Sequence, residues 1–151
     1  MSNYKQKMYH LVIYQLSGIQ AGIQAGHAKD AYSILYGNDE EYKQWLNHDK
    51  TVILLNGGTT NSGNDGSAVG TMQNHLQTLT DMKVKAEPFY EPDLNNAMTA
   101  IAFLVDERVW DKEKYPDYYS DFNKKTFLVT NYGEQIANLR LFLEQFTLAR
   151  N

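Results

Sequence analysis

Two rhythms of hydrophobic and polar positions alternate along the chain, and the points where one gives way to the other mark its elements. Residues 8–16, MYHLVIYQL, are rich in Val, Ile and Tyr and predict a first strand. Ser17 follows where a helix N-cap belongs, and GIQAGIQAGHAKDAY continues as a helix. Residues 39–47, DEEYKQWLN, set acids ahead of Tyr42, Trp45 and Leu46 at i, i+3 and i+4, which predicts a short second helix with anions at its positive end. The unbroken apolar run TVILLNGG, residues 51–58, predicts a buried strand closed by glycines. A polar stretch rich in Gly, Asn, Ser and Thr runs on to Gly70, after which Met72, Leu76 and Leu79 set a helix ending near Met82.

In the second half, two apolar runs flank PDLNN, whose Pro92, Asp93, Asn95 and Asn96 are turn formers. This predicts two strands joined by a tight connection, with AMTAIAFLV the more central one. A polar aromatic piece, WDKEKYPDYYSDF, leads to a short expected strand, TFLVT, and then to an amphipathic helix over residues 134–149 carried by Ile136, Leu139, Leu143 and Phe146. Alternating strands and helices favour an α/β sandwich around a mixed sheet.

The glycines change this picture at one place. Gly18, Gly22 and Gly26 recur every fourth residue in the first helix, and each costs about 1 kcal/mol relative to alanine. Close approach of a second helix, a partner subunit or a ligand to the bare backbone would offset the cost, with intimate packing the expectation ahead of ligand contact. At about 100° per residue, Gln20, Gln24 and His27 share another side. His27 reads either as a buried residue that ties the helix to neighbouring backbone or as part of a polar cleft.

Length and charge narrow the function classes. The 151 residues and 17.3 kDa suit one domain, residues 1–151. A formal charge of −4 argues against non-specific binding to nucleic acid. Absence of cysteine removes thiol nucleophiles and Cys-ligated zinc, and His10, His48 and His75 have no ligand spacing with His27, so no metal or other cofactor is expected. No segment approaches the roughly 20 apolar residues of a membrane span, and the expectation is a cytoplasmic protein with no membrane partner. The glycine-rich stretch lacks the G-K-[ST] of a phosphate loop, although the amides of Gly57 and Gly58 could still cradle an anion ahead of the next helix.

QAGHA (residues 24–28) in the first helix and FYEPDLNNAMTAIAF (residues 89–103) in the late strand pair occur together. In this the chain resembles the type-II peptidyl-tRNA hydrolase superfamily, specifically its small bacterial and phage branch, over residues 8–105, with residues 106–151 as a C-terminal helical extension. The resemblance implies a three-layer α-β-α sandwich with a four-stranded mixed sheet. It also implies a polar cleft where the start of the first helix meets the late strands. Asp93 and Thr99 stand at the catalytic aspartate and threonine, Asp93 to orient water and Thr99 to position substrate. Gln24 and His27 keep the helix pattern and, with Asn95, Asn96, Gly57 and Gly58, make a candidate ligand-binding set. The catalytic lysine position falls on Gln20, whose amide stabilises an oxyanion less than an ammonium would. Losing one such stabiliser typically costs about 10²–10³ in rate.

Two functions follow as expectations. One is hydrolysis of an ester linked to a nucleotide or tRNA end, with Gln20, Asp93 and Thr99 as the reacting set. The other is a non-catalytic phage-type binder that sequesters a nucleotide-like small molecule or a host factor, interfering with host signalling or defence. The aromatic tail and C-terminal helix suggest a homodimer.

Overall fold

The protein's computed structural model describes residues 4–60, 70–117 and 123–149. Most of the glycine-rich stretch, residues 61–69, and the end of the polar aromatic piece, residues 118–122, lie outside them.

Strand β1 (Gln6–Ile13) alternates its side chains between two cores. Met8 and Val12 join one, and Leu11 and Ile13 the other. Helix α1 (Gly18–Tyr36) begins at Ser17, as its sequence indicates. The Ser17 hydroxyl accepts from the Gln20 backbone N–H at 3.2 Å, and Gln20 Oε1 accepts from the Ser17 N–H at 3.1 Å, closing a capping box. A short α2 (Glu40–Gln44) runs into a π-helical turn, Trp45–Asp49, which ends at Lys50 in the left-handed region. Strand β2 (Val52–Gly58) and helix α3 (Thr71–Asp81) follow. Strand β3 (Ala86–Glu91), a 3-10 turn at Pro92–Leu94 and strand β4 (Ala97–Asp106) form the expected strand pair. The tight connection works through Asn95 and Asn96, which adopt φ of 52° and 58°.

The sheet is mixed and four-stranded, in the order β2-β1-β4-β3. β1 runs parallel to β2 and antiparallel to β4, and β3 is antiparallel to β4. Pro88, which lacks an N–H, is tolerated because β3 is an edge strand. On one face α1 and the α2 region cover Met8, Val12, Ala100 and Ala102. On the other, α3 and the C-terminal helices cover Leu11, Ile101 and Phe103. The chain is thus α/β with helices on both faces of a mixed sheet. No helix among the described residues is long and apolar enough to cross a membrane.

Three sequence expectations give way here, and one segment takes on a role that the residues alone did not specify. The run at residues 51–58 is an edge strand, with Val52 about half exposed. Its free edge is closed by the tail, which leaves its faces only partly covered. Asn56 N–H donates to Thr147 O and Ala149 N–H to Leu54 O, both at 2.9 Å. That extended tail ends the last helix, α6 (Glu134–Leu143), well before residue 149. TFLVT is helical, within α5 (Lys124–Tyr132). Its β-branched residues favour a strand only weakly, and burial of Leu128 holds it as a helix, in which the Thr130 hydroxyl finds an acceptor at Thr126 O. Finally, the segment after residue 105 is built into the core: Val109 of α4 (Glu107–Trp110), Ile136, Leu139 and Phe142 pack with Phe103. The apolar face of α6 is therefore used inside the chain, and a homodimer would need another surface.

Candidate functional site

α1 approaches the sheet through a stripe of small side chains. Ala21, Ala25 and Ala28 are buried against Ala100 and Ala102, so alanine rather than glycine makes the close approach. Gly22 and Gly26 lie outside this contact. A Cβ added to either would meet nothing within 4 Å, contrary to the expectation of a packed glycine face.

Gln24 is the one polar side chain of α1 that turns inward, 8% exposed. It receives the Thr99 hydroxyl at its Oε1 (2.5 Å) and donates from Nε2 to Glu91 Oε1 (2.9 Å). A β-bulge makes this possible. Phe89 pairs with Ala100 and Tyr90 with Met98, leaving Thr99 as the extra residue of β4. Met98 thus faces the α3 core while Ala100 faces α1, and the Thr99 side chain turns toward α1 as well. Thr99 is fully buried, so its hydroxyl sits inside a completed chain of hydrogen bonds.

The topology brings the other expected residues to the same end of the sheet without gathering them around that chain. Gln20 is exposed and engaged in the capping box. Asp93 is exposed on the 3-10 turn. Asn95 and Asn96 serve the left-handed turn, where the Asn96 N–H donates to Glu91 O at 2.9 Å. His27 is exposed and stacks on Phe89, with ring centroids 4.7 Å apart; the buried reading does not hold, because α1 presents its alanines and Gln24 to the sheet. Gly57 and Gly58 lie toward the opposite face. A Cβ on Gly57 would strike Met72 Sδ, and Gly58, at φ +91°, sits against the Thr71 hydroxyl, so both allow α3 to dock closely. Of the expected site, Gln24 and Thr99 are hydrogen-bonded to each other, and Glu91, the acid just before the PDLNN turn, joins them.

A second polar feature of the same face was not foreseen. His10 stands between Met8 and Val12 on the side of β1 that α1 covers, and it is 2% exposed. Its Nδ1 lies 3.4 Å from Ile53 O, while its Nε2 is buried with no hydrogen-bond partner. Burial, with a smaller contribution from Lys29, lowers its pKa to about 4, although the Ile53 carbonyl opposes this, so the ring is neutral near pH 7. His10 lines a groove of about 490 Å³ with Gly22, Gly26, Lys29, Trp45 and Leu54. The strand alternation through Met8, His10 and Val12 was the available signal, since it places a histidine at an inward position. A larger cavity, about 520 Å³, opens at the other end of the sheet beside Gln6 and Asp106. Four of its charged side chains pair with one another, as Lys85–Asp39 (2.6 Å) and Arg108–Asp106 (2.7 Å). Neither cavity is lined by Gln20, Gln24, Asp93 or Thr99.

Comparison with models of protein families, with curated proteins and with solved structures gives no match to this chain.

Proposed function

We propose that this protein is a non-catalytic binder of a small molecule, built on a sandwich of the peptidyl-tRNA hydrolase II type. The observation that carries the reading is the closed chain Thr99–Gln24–Glu91. A threonine that is to position a substrate must offer its hydroxyl to that substrate, and this one is buried and bound within the protein. The position corresponding to the lysine of the resembling enzymes is occupied by Gln20, whose amide is engaged in starting α1. Asp93 is exposed, and a single carboxylate without an oxyanion partner supplies little rate acceleration. Support for binding comes from the open groove on the same face, with its unpaired buried nitrogen.

The test has two arms. Purified protein at high concentration is incubated with a peptidyl-tRNA analogue, and no peptide is released above the rate of an Asp93→Ala control. Release that depends on Asp93 would return the protein to the hydrolases. In parallel, thermal shift with a panel of nucleotides and related small anions finds a stabilising ligand. One present at 100 times its Kd raises stability by about 2.7 kcal/mol, a shift of several degrees for a domain of this size.

A further inference from the structure

We propose that the groove between the glycine side of α1 and the β1–β2 pair binds a small planar ring carrying an N–H donor and an anionic substituent. This gives the binding reading above a place and a ligand class, and rests on it.

Three observations define the ligand. The first is the orphaned nitrogen. The Nδ1 of His10 faces a carbonyl, Ile53 O, so it carries the ring proton, and Nε2 is left as a bare acceptor. A buried acceptor without a partner is destabilising unless something donates to it, and the group that completes it is an N–H or O–H. The second is shape. Gly22 and Gly26 leave helix backbone uncovered above the groove, with open space where side chains would stand. Trp45, Leu46, Val52 and Leu54 supply apolar walls. A flat ring can lie on bare backbone where a branched aliphatic group cannot, and the groove's volume lies within the range of small-ligand sites. The third is charge. Lys29 and Lys50 both line the groove. Lys29 is bound only to its neighbour Asp30, which is largely exposed and contributes little, so its ammonium is open to a better anion. Among the described residues, no acidic side chain lines the groove.

A carboxylate and a phosphate would both satisfy the lysines. Isothermal titration of the full chain with indole-3-acetate (ring N–H and carboxylate) and with AMP (amino group and phosphate) separates the two sources. At least one binds, and the uncharged counterpart, indole or adenosine, binds at least tenfold more weakly. Gly26→Leu fills the groove from a position where an added Cβ meets nothing within 4 Å, and it abolishes binding while leaving the fold intact and the melting temperature no lower than the parent's. His10→Phe removes the acceptor and weakens binding about tenfold or more if the variant folds; Gly26→Leu decides the matter if it does not. Failure of both probes to bind the parent chain overturns the proposal, as does binding that Gly26→Leu leaves unchanged. In the latter case a ligand exists and sits elsewhere, so the broader binding reading survives. Peptide release in the hydrolysis assay would remove the non-catalytic reading whatever these titrations give.

Discussion

Helix α1 carries two contrasting regions less than three turns apart. On its sheet-facing side Gln24 meets Thr99 and Glu91, and no buried side-chain polar atom of the three is left without a partner. Beside it, Gly22 and Gly26 meet nothing, and below them His10 keeps a buried nitrogen unpaired. The first region has the residue types of an active site and the bonding of a structural tie. The second has residue types that suggest packing and the bonding of a site still lacking a ligand. Satisfaction of hydrogen bonds, rather than identity of side chains, separates them.

The largest expected effect breaks this contrast from the side of His10. Its ring is neutral in the fold, with its pKa lowered to about 4 mainly by burial, against an ordinary value of 6.5 when unfolded. The unfolded chain therefore takes up the extra proton first. Stability is complete above pH 6.5 and declines as pH falls through 4, by about 3 kcal/mol in all. Urea melts from pH 7.5 to 4 measure this, and His10→Phe, which cannot be protonated, flattens the profile in that window. Lys29 and Lys50 are the charged side chains that line the groove with His10.

Next comes the closed region. Thr99→Val removes the donor and leaves Gln24 Oε1 buried without one, which costs about 2 kcal/mol in a denaturant titration. An unchanged midpoint would mean that the tie is slack, and the hydroxyl would then be available to a substrate. A smaller effect has the opposite sign. Gly26→Ala stabilises the protein by about 1 kcal/mol, because the added methyl meets open space and alanine is the better helix former. Destabilisation would show that this side of α1 is packed after all. Smallest is Gln20→Lys, which restores the residue of the resembling enzymes. It loses half of a capping box, less than about 1 kcal/mol by thermal melt, and yields no release of peptide from a peptidyl-tRNA analogue.

The contrast also explains what could be read from the residues alone. Ser17 as N-cap, the strand pair around PDLNN and the central position of AMTAIAFLV rest on local turn chemistry and two-residue alternation, and these survive folding almost unchanged. The burial of α1 was not legible, because its apolar residues are distributed around the helix. Ile19, Ile23, Ile34 and Leu35 are all exposed, while alanines do the packing. A helix without one dominant apolar face does not announce which side meets the sheet, and the roles of Gly22, Gly26 and His27 depend on that choice. Thr99 was found for its type, but the bulge that turns it toward Gln24 belongs to the pairing of β3 with β4. TFLVT failed for a related reason, since its partners come from elsewhere in the fold.

The three residues of tail laid along β2 have a consequence for how the protein behaves in concentrated solution. An open edge strand invites a second chain to add to the sheet, and β2, with few charges of its own, has little to discourage it. Thr147, Leu148 and Ala149 occupy that position through backbone hydrogen bonds, and Ala149 also packs against the core on the α1 side. The protection of this edge from a second chain thus rests on a short segment whose detachment would turn β2 into a template for aggregation.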